Sequence, residues 1–303
     1  MLSISRHSDS RSLIDPHALH ALGVLVPIRF QPVKVLPGRH PLGRAGDGMR
    51  LLRTRPYVAG EDNPRDIDKF SPADERMVVE WEDEAQASIM LLADISASMS
   101  PPLKSALRNA CLLQLTYSFW RAGDRVGMTS FDDRIYDPIR ATNLRMQMDR
   151  IATSLKQSRG ATTTNLSSVL GEYLRQGRQR YSDLLFVVSD FLASDERELE
   201  PEIEWRPVLK EMHRNIVPVV ISFEIPDSTE GVMKFWDPER ESRRLVRLSS
   251  CRIRRINQQE SGRVASLARK FRSAGLDYMI LSKQRQVYPQ LARLARTRRL
   301  RKH

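Results

Sequence analysis

Three apolar runs of strand length, Ile89–Ala93, Leu184–Ser189 and Ile216–Phe223, show none of the apolar–polar alternation of a strand with one wet face. A strand that stays apolar throughout must be covered on both faces, as in a parallel sheet lying between helices. The intervening segments read as helices. Residues 102–121 place Leu103, Leu107, Ala110, Leu113 and Tyr117 at spacings of three and four, the period of one helix face. Helices are expected likewise over 142–156, 165–176, 204–214, 259–274 and from 287 to the C-terminus. Further strands are expected at 125–131 and 277–282, with a hairpin partner at 135–139. Strands alternating with helices of ten or more residues define βαβ units. The expected fold is a doubly wound, mostly parallel α/β sheet of Rossmann type.

The first 84 residues do not follow this pattern and are expected to form a separate, irregular or β-containing region, with the α/β domain over 85–300. Residues 1–35 suggest a short helix and a strand. Residues 36–50 hold four glycines and two prolines, which reads as a loop. That loop is no phosphate cradle, because Arg44 stands where the lysine belongs and no Ser or Thr follows. Residues 51–84 read as polar and irregular, ending in the acidic cluster Glu80, Glu82, Asp83 and Glu84.

Several function classes drop out. No apolar run approaches the roughly 18 residues that span a bilayer, and the first residues show no apolar core of a secretory signal. Two cysteines, Cys111 and Cys251, make neither a disulfide framework nor a metal cluster. A cytoplasmic protein is the expectation. The formal net charge is +12, but residues 243–303 hold 18 Lys and Arg against only Glu260 and Asp277. Such a segment is either a set of solvated helix faces or a dock for an acidic partner. No RNA-binding motif, zinc finger or helix-turn-helix accompanies it, so binding to nucleic acid is kept only as an alternative.

In open α/β sheets ligands sit beyond the C-terminal ends of the strands. Three polar clusters fall at such ends: Asp94, Ser96 and Ser98 after the first apolar run, the Gly160–Asn165 stretch before a helix, and Ser189-Asp190 closing the run LLFVV. Each alone has a plain structural reading. Ser98 or Ser100 could cap the helix entered at Pro101-Pro102, and the threonine run could cap the next one. Together they gather oxygen ligands, which suit a hard cation, Mg²⁺ or Mn²⁺. Neutral hydroxyls would leave such a cation much of its charge, and a partner's carboxylate is the natural group to complete its shell. Hydrolysis is the rival. A phosphatase of the haloacid dehalogenase type needs a second Asp two positions after the first, where this chain has Ser96. A Gly-x-Ser-x-Gly nucleophile elbow is also absent from the sequence. A non-enzymatic role is expected, with a metal-dependent phosphohydrolase-like enzyme as the alternative.

At these residues the chain resembles the von Willebrand factor A domain, whose metal-ion-dependent adhesion site uses Asp-x-Ser-x-Ser, a later Thr and a later Asp. The resemblance implies Asp94, Ser96, Ser98, Thr164 and Asp190 as ligands. The Thr stands six positions before an apolar residue, which gives Thr164 counted from Leu170; counted from Gly160 it would be Thr162. Upstream, Arg55, Tyr57, Gly60, Asp62, Arg65, Ile67 and Asp68 resemble a segment of the bacterial family called domain of unknown function 58. Lys69 stands where that family usually has Trp, and the pair of membrane helices found in many relatives is not seen in this sequence. This resemblance covers residues 38–300. It implies a protein-binding module that grips a partner carboxylate, and a MoxR-type AAA+ ATPase for which the chain acts as adaptor or co-chaperone.

Overall fold

A computed structural model of the chain describes residues 28, 30, 36–72, 74–157, 169, 171–173, 184–192, 216–237 and 242–300. The expected helix at 204–214, most of that at 165–176, and most of the elements expected within 1–35 lie outside these residues. In chain order the described elements are β1 (Pro37–Pro56), β2 (Met77–Ala85), β3 (Ser88–Asp94), α1 (Pro102–Arg121), β4 (Arg125–Phe131), β5 (Ile139–Thr142), α2 (Gln147–Gln157) and β6 (Leu184–Ser189). They continue with β7 (Ile216–Ile221), β8 (Gly231–Asp237), β9 (Ser242–Leu248), α3 (Ser250–Ser273), β10 (Met279–Leu281) and α4 (Val287–Leu300).

Six strands form the central sheet in the order β10-β7-β6-β3-β4-β5. All neighbours pair in parallel except the edge strand β5, which is antiparallel to β4. Every residue of β3, β6 and β7 is buried. Alternate residues of β3 serve different cores. Ile89, Leu91 and Ala93 pack with Leu112, Leu115, Phe119, Ile151, Leu291 and Leu294 from α1, α2 and α4. Met90 and Leu92 pack with Phe271 of α3 and with Val169 and Tyr173. Burying a large aliphatic side chain in this way contributes about 1.5–3 kcal/mol, so the apolar runs are the main reason the sheet forms where it does. The chain moves from β3 outward through β4 to β5, then returns to β6 on the other side of β3. The β3–β6 boundary is therefore the topological switch point, where an open α/β sheet leaves a crevice at its C-terminal edge.

The loop expected over 36–50 is instead part of the 20-residue strand β1, which pairs antiparallel with β2 through several register shifts. Gly38, Gly46 and Gly48 mark close approach of the partner strand, while Gly43 takes a left-handed φ of 72°. A Cβ at Gly38 would collide with the backbone of Ala85 and Gln86, and one at Gly48 with the Glu82 carbonyl. The acidic cluster lies opposite the arginines of β1, with Arg53 and Arg55 each 2.6 Å from Glu80 and Arg44 2.9 Å from Asp83. These polar residues thus pair across strands.

A buried pin ties this ribbon to the N-terminal end of the sheet. The Ile28 amide donates to His40 Nδ1 (3.0 Å), so the ring's proton sits on Nε2 and is donated to Asp124 Oδ2 (2.6 Å). Asp124 Oδ1 accepts from the Ala87 amide at 2.9 Å. His40 and Asp124 are 0% and 1% exposed, and they join four separate stretches of chain just before β3 and β4 begin.

Two other expectations change. The helix expected over 259–274 begins at Ser250, where Ser249 caps it and Ile253 is buried. Its first turns are so rich in Arg, Asn and Gln that one apolar anchor was too little signal. The β8–β9 hairpin, antiparallel from Gly231↔Leu248 to Asp237↔Ser242, had no counterpart in the sequence reading. The partner expected for β4 at 135–139 is displaced: Ile135 makes only an isolated bridge to Phe131, and the paired strand is β5. That strand takes Thr142, so α2 starts at Gln147.

Candidate functional site

Parallel pairing of Ala93 with Val188 places the C-terminal ends of β3 and β6 side by side. Asp94 and Asp190, 96 positions apart in the chain, thereby reach one crevice. Asp94 is 1% exposed. Its Oδ2 accepts from Ser189 Oγ (2.5 Å) and its Oδ1 from the Ser96 amide (2.9 Å). Beyond it the chain makes a 3-10 turn, Ala97–Met99, which brings Ser96 Oγ and Ser98 Oγ to 3.1 Å. Ser98 Oγ donates to Asp190 Oδ1 at 3.2 Å. Asp94, Ser96, Ser98 and Asp190 thus form one continuous array of side-chain oxygens. Thr164 and Thr162 lie outside the described residues. Ser100 caps no helix: its hydroxyl donates back to the Ser96 carbonyl (3.3 Å), while α1 has Pro101 as its N-cap, no capping side chain, and Pro102 in its first turn.

Charge on Asp94 is disfavoured where it sits. Burial first, and then the negative charge of Asp190, push the Asp94 carboxyl above its ordinary value, against the hydrogen bonds from Ser189 and Ser96. Among the described residues, three cations lie at the site. Arg108, 5% exposed, donates through Nη1 to the Asp94 carbonyl (2.8 Å), and burial pulls its guanidinium down to about 10. Arg263 donates to the Asp190 carbonyl at 2.7 Å and is held by Glu260. Lys104 Nζ lies 2.6 Å from Asp190 Oδ2 and 3.2 Å from the Ser98 carbonyl. Of the three, Lys104 is the one that touches a carboxylate of the array.

Lys104, Arg108, Arg263 and the role of Ser189 are not apparent from the sequence motifs. One signal for Lys104 was present. A cation in the first turn of a helix opposes the helix dipole, and α1 begins with Lys104 and no acidic residue. Such a local conflict points to an anion nearby in space.

The oxygen array has the chemistry of a hard-cation site. All its side-chain donors are oxygens. Both Asp94 oxygens accept hydrogen bonds, from the Ser96 amide and the Ser189 hydroxyl, and the carboxylate of Asp190 reaches the same array through Ser98. Among the described residues of the array, Asp94 and Asp190 supply the negative charge and Ser96 and Ser98 supply neutral hydroxyl oxygens. This fits Mg²⁺ or Mn²⁺ better than a soft metal.

The upstream motif folds largely on itself. Arg55 donates to both oxygens of Asp62, which also accepts from the Val58 amide at 2.8 Å. Gly60 has φ +89°, Ile67 bridges Val78, and Asp68 Oδ1 accepts from the Phe70 amide. The Arg55 guanidinium, followed by the Val58 amide, holds the Asp62 carboxyl down at about 2. A depressed carboxyl stabilises above its unfolded value, about 3.9, and that contribution disappears as pH falls through about 2. Arg55→Lys keeps the charge but cannot bridge Asp62 and Glu80 with a planar fork. Faster protease cleavage within residues 57–76 at neutral pH is the expected result. Wild type should become comparably sensitive to an acid-active protease only between about pH 4 and 2.

A family model described as protein of unknown function DUF58 matches residues 53–265. No curated protein matches the chain. Among solved structures, an aerotolerance-related membrane protein from Bacteroides fragilis aligns at 14% identity and TM-score 0.40, over 69% of this chain and 98% of that one. BatB from Bacteroides thetaiotaomicron aligns at 14% and 0.38, again over 69% and 98%. A von Willebrand factor type A protein from Catenulispora acidiphila aligns at 9% and 0.37, over 73% of this chain and 44% of that one.

Proposed function

The chain belongs to the DUF58 family, and from that premise we propose that it is a non-enzymatic protein-binding module that grips a partner's carboxylate at the β3–β6 switch point. The observation that carries this reading is the convergence of Asp94, Ser96, Ser98 and Asp190 on one crevice. These residues, with Thr164 as the proposed fifth, would hold Mg²⁺ or Mn²⁺. When bound, the cation would supply a concentrated positive charge able to accept an oxygen from a partner's Asp or Glu. The chain's own groups support that task. Ser189 and the Ser96 amide orient Asp94, Arg108 and Arg263 hold the backbone carbonyls of the two aspartates, and the apolar sheet beneath excludes water. A binding site of this kind needs no nucleophile, and Ser96 stands where a phosphatase of the haloacid dehalogenase type would need its general acid.

The proposed partner is acidic. Within 243–303 the two acidic residues are already engaged: Glu260 with Arg263 (2.8 Å) and Ser222 (3.0 Å), and Asp277 with Arg298 (3.0 Å). Exposed Arg247, Arg252, Arg254 and Arg255 therefore present positive charge at the end of β9 and the start of α3, which would speed encounter with an acidic surface. A MoxR-type AAA+ ATPase is the proposed partner, with this chain as its adaptor in the cytoplasm. Among the described residues no helix is long and apolar enough to cross a membrane. The test is capture of a purified MoxR-type ATPase with Mg²⁺ and with chelator. Capture by wild type in Mg²⁺ alone, lost in Asp94→Ala, is expected; equal capture with chelator would overturn the reading.

A further inference from the structure

We infer that Lys104 is a displaceable internal cation, which neutralises Asp190 when no divalent ion is bound and must leave when one arrives, so that it sets the metal affinity of the site. The inference rests on the metal reading above and adds to it a residue outside the oxygen array. The Lys104 ammonium contacts the array twice, at Asp190 Oδ2 (2.6 Å) and at the Ser98 carbonyl (3.2 Å). Asp190 is 1% exposed as a side chain, so the contact is shielded from water on the acid's side. An ammonium and a divalent cation cannot share that oxygen without strong repulsion, because like charges a few ångströms apart are poorly screened in a crevice.

The three cations around the site differ in what they hold. Arg108 and Arg263 donate to main-chain carbonyls and are further tied to Asn109 and Glu260. A bound metal would leave those contacts in place. Lys104 has committed its charge to a carboxylate that the metal needs. It also has an exit. Its side chain is 18% exposed, and a flexible four-carbon stem can carry a well-hydrated ammonium out to solvent. Its position in the first turn of α1 gives no compensation, since the helix dipole there repels a cation. Asp190 and the Ser98 carbonyl hold Lys104 in place, and a competitor for Asp190 releases it. Metal binding would then expose an ammonium beside the crevice, adding a positive group where a partner's carboxylate docks.

Binding of Mn²⁺ to the full-length protein, followed by electron paramagnetic resonance and calorimetry, tests this. Lys104→Met removes the charge and keeps most of the stem; it should bind Mn²⁺ about ten- to a hundredfold more tightly, the equivalent of one charge-assisted hydrogen bond no longer broken. Lys104→Arg keeps a competing cation and should remain within a few-fold of wild type. A second readout uses wild type alone: modification of Lys104 by an amine-reactive reagent, read by mass spectrometry, should rise on adding Mg²⁺. Equal or weaker Mn²⁺ affinity in Lys104→Met, or labelling unaffected by Mg²⁺, overturns the role of Lys104 and leaves the metal site standing. Absence of Mn²⁺ binding in all three proteins overturns both.

Discussion

In chelator at neutral pH, Asp94→Asn melts at a higher temperature than wild type, and Mg²⁺ no longer raises the melting temperature of the variant. The reason is the placement of Asp94. Its carboxyl is buried beside Asp190, and both effects raise its pKa. The sign follows from linkage. An acid whose folded pKa is raised binds more protons folded than unfolded, so stability falls as pH climbs from the unfolded value, about 3.9, through the raised one. At neutral pH, well above its unfolded value, the Asp94 carboxyl therefore opposes folding whether it is ionised or holds a proton, and a neutral amide of the same shape relieves that opposition. One amide oxygen can keep the Ser96 amide bond, while the Ser189 hydroxyl can turn to accept from the amide nitrogen. Each kcal/mol gained corresponds to about 2–4 °C in a domain of this size. The stability difference should vanish as pH approaches 4. Calorimetry between pH 4 and 8, with chelator and with Mg²⁺, measures all three effects. A variant that melts below wild type in chelator at pH 7 would contradict the account of a site that sacrifices stability for binding.

The second large effect lies at the opposite end of β3. His40→Ala leaves Asp124 buried with one of its two hydrogen bonds gone and orphans the Ile28 amide. Breaking a buried pair of this kind costs about 3–5 kcal/mol, or a drop in melting temperature on the order of 10 °C. Asp124→Asn is expected to be nearly as damaging, for a reason of tautomers. An amide has one acceptor, and Asp124 supplies two: one to His40 Nε2–H, one to the Ala87 N–H. With Asn, one of these donors must face an NH₂ group. His40 cannot adapt by moving its proton to Nδ1, because that nitrogen already accepts from Ile28. Urea denaturation of the two single variants and the double one measures the coupling. An Asp124→Asn protein within about 1 kcal/mol of wild type would show that the pin is not held by this tautomer. Neither residue lies near the oxygen array, so metal affinity should be unchanged in any variant that still folds.

The central strands were legible because their signal is local. Uninterrupted apolar residues can be satisfied only by covering both faces, and β3, β6 and β7 are buried throughout. Asp94, Ser96, Ser98 and Asp190 were legible for a related reason: polar residues that end such strands fall at the edge where ligands gather. The ribbon was not legible. Gly38, Gly46 and Gly48 read as a loop from composition, yet each is small because β2 lies against it. That fact belongs to a pair of strands, and a single segment does not reveal it. The Arg-rich start of α3 hid its helix in the same way, since one buried Ile253 and a Ser249 cap define it.

Apolar pattern alone determined that this chain has a sheet covered on both sides, with carboxylates and hydroxyls at its C-terminal edge. Pattern leaves strand order degenerate, because any two fully apolar strands can lie side by side at similar cost in buried area. Tertiary structure decided that β6 lies next to β3, so that Ser189 bonds Asp94 across 95 positions of chain, and that Lys104 reaches Asp190 from 86 positions away. Those two contacts turn a row of polar strand ends into a site with a charge to balance, and they arise from side-chain geometry between elements that no local spacing encodes.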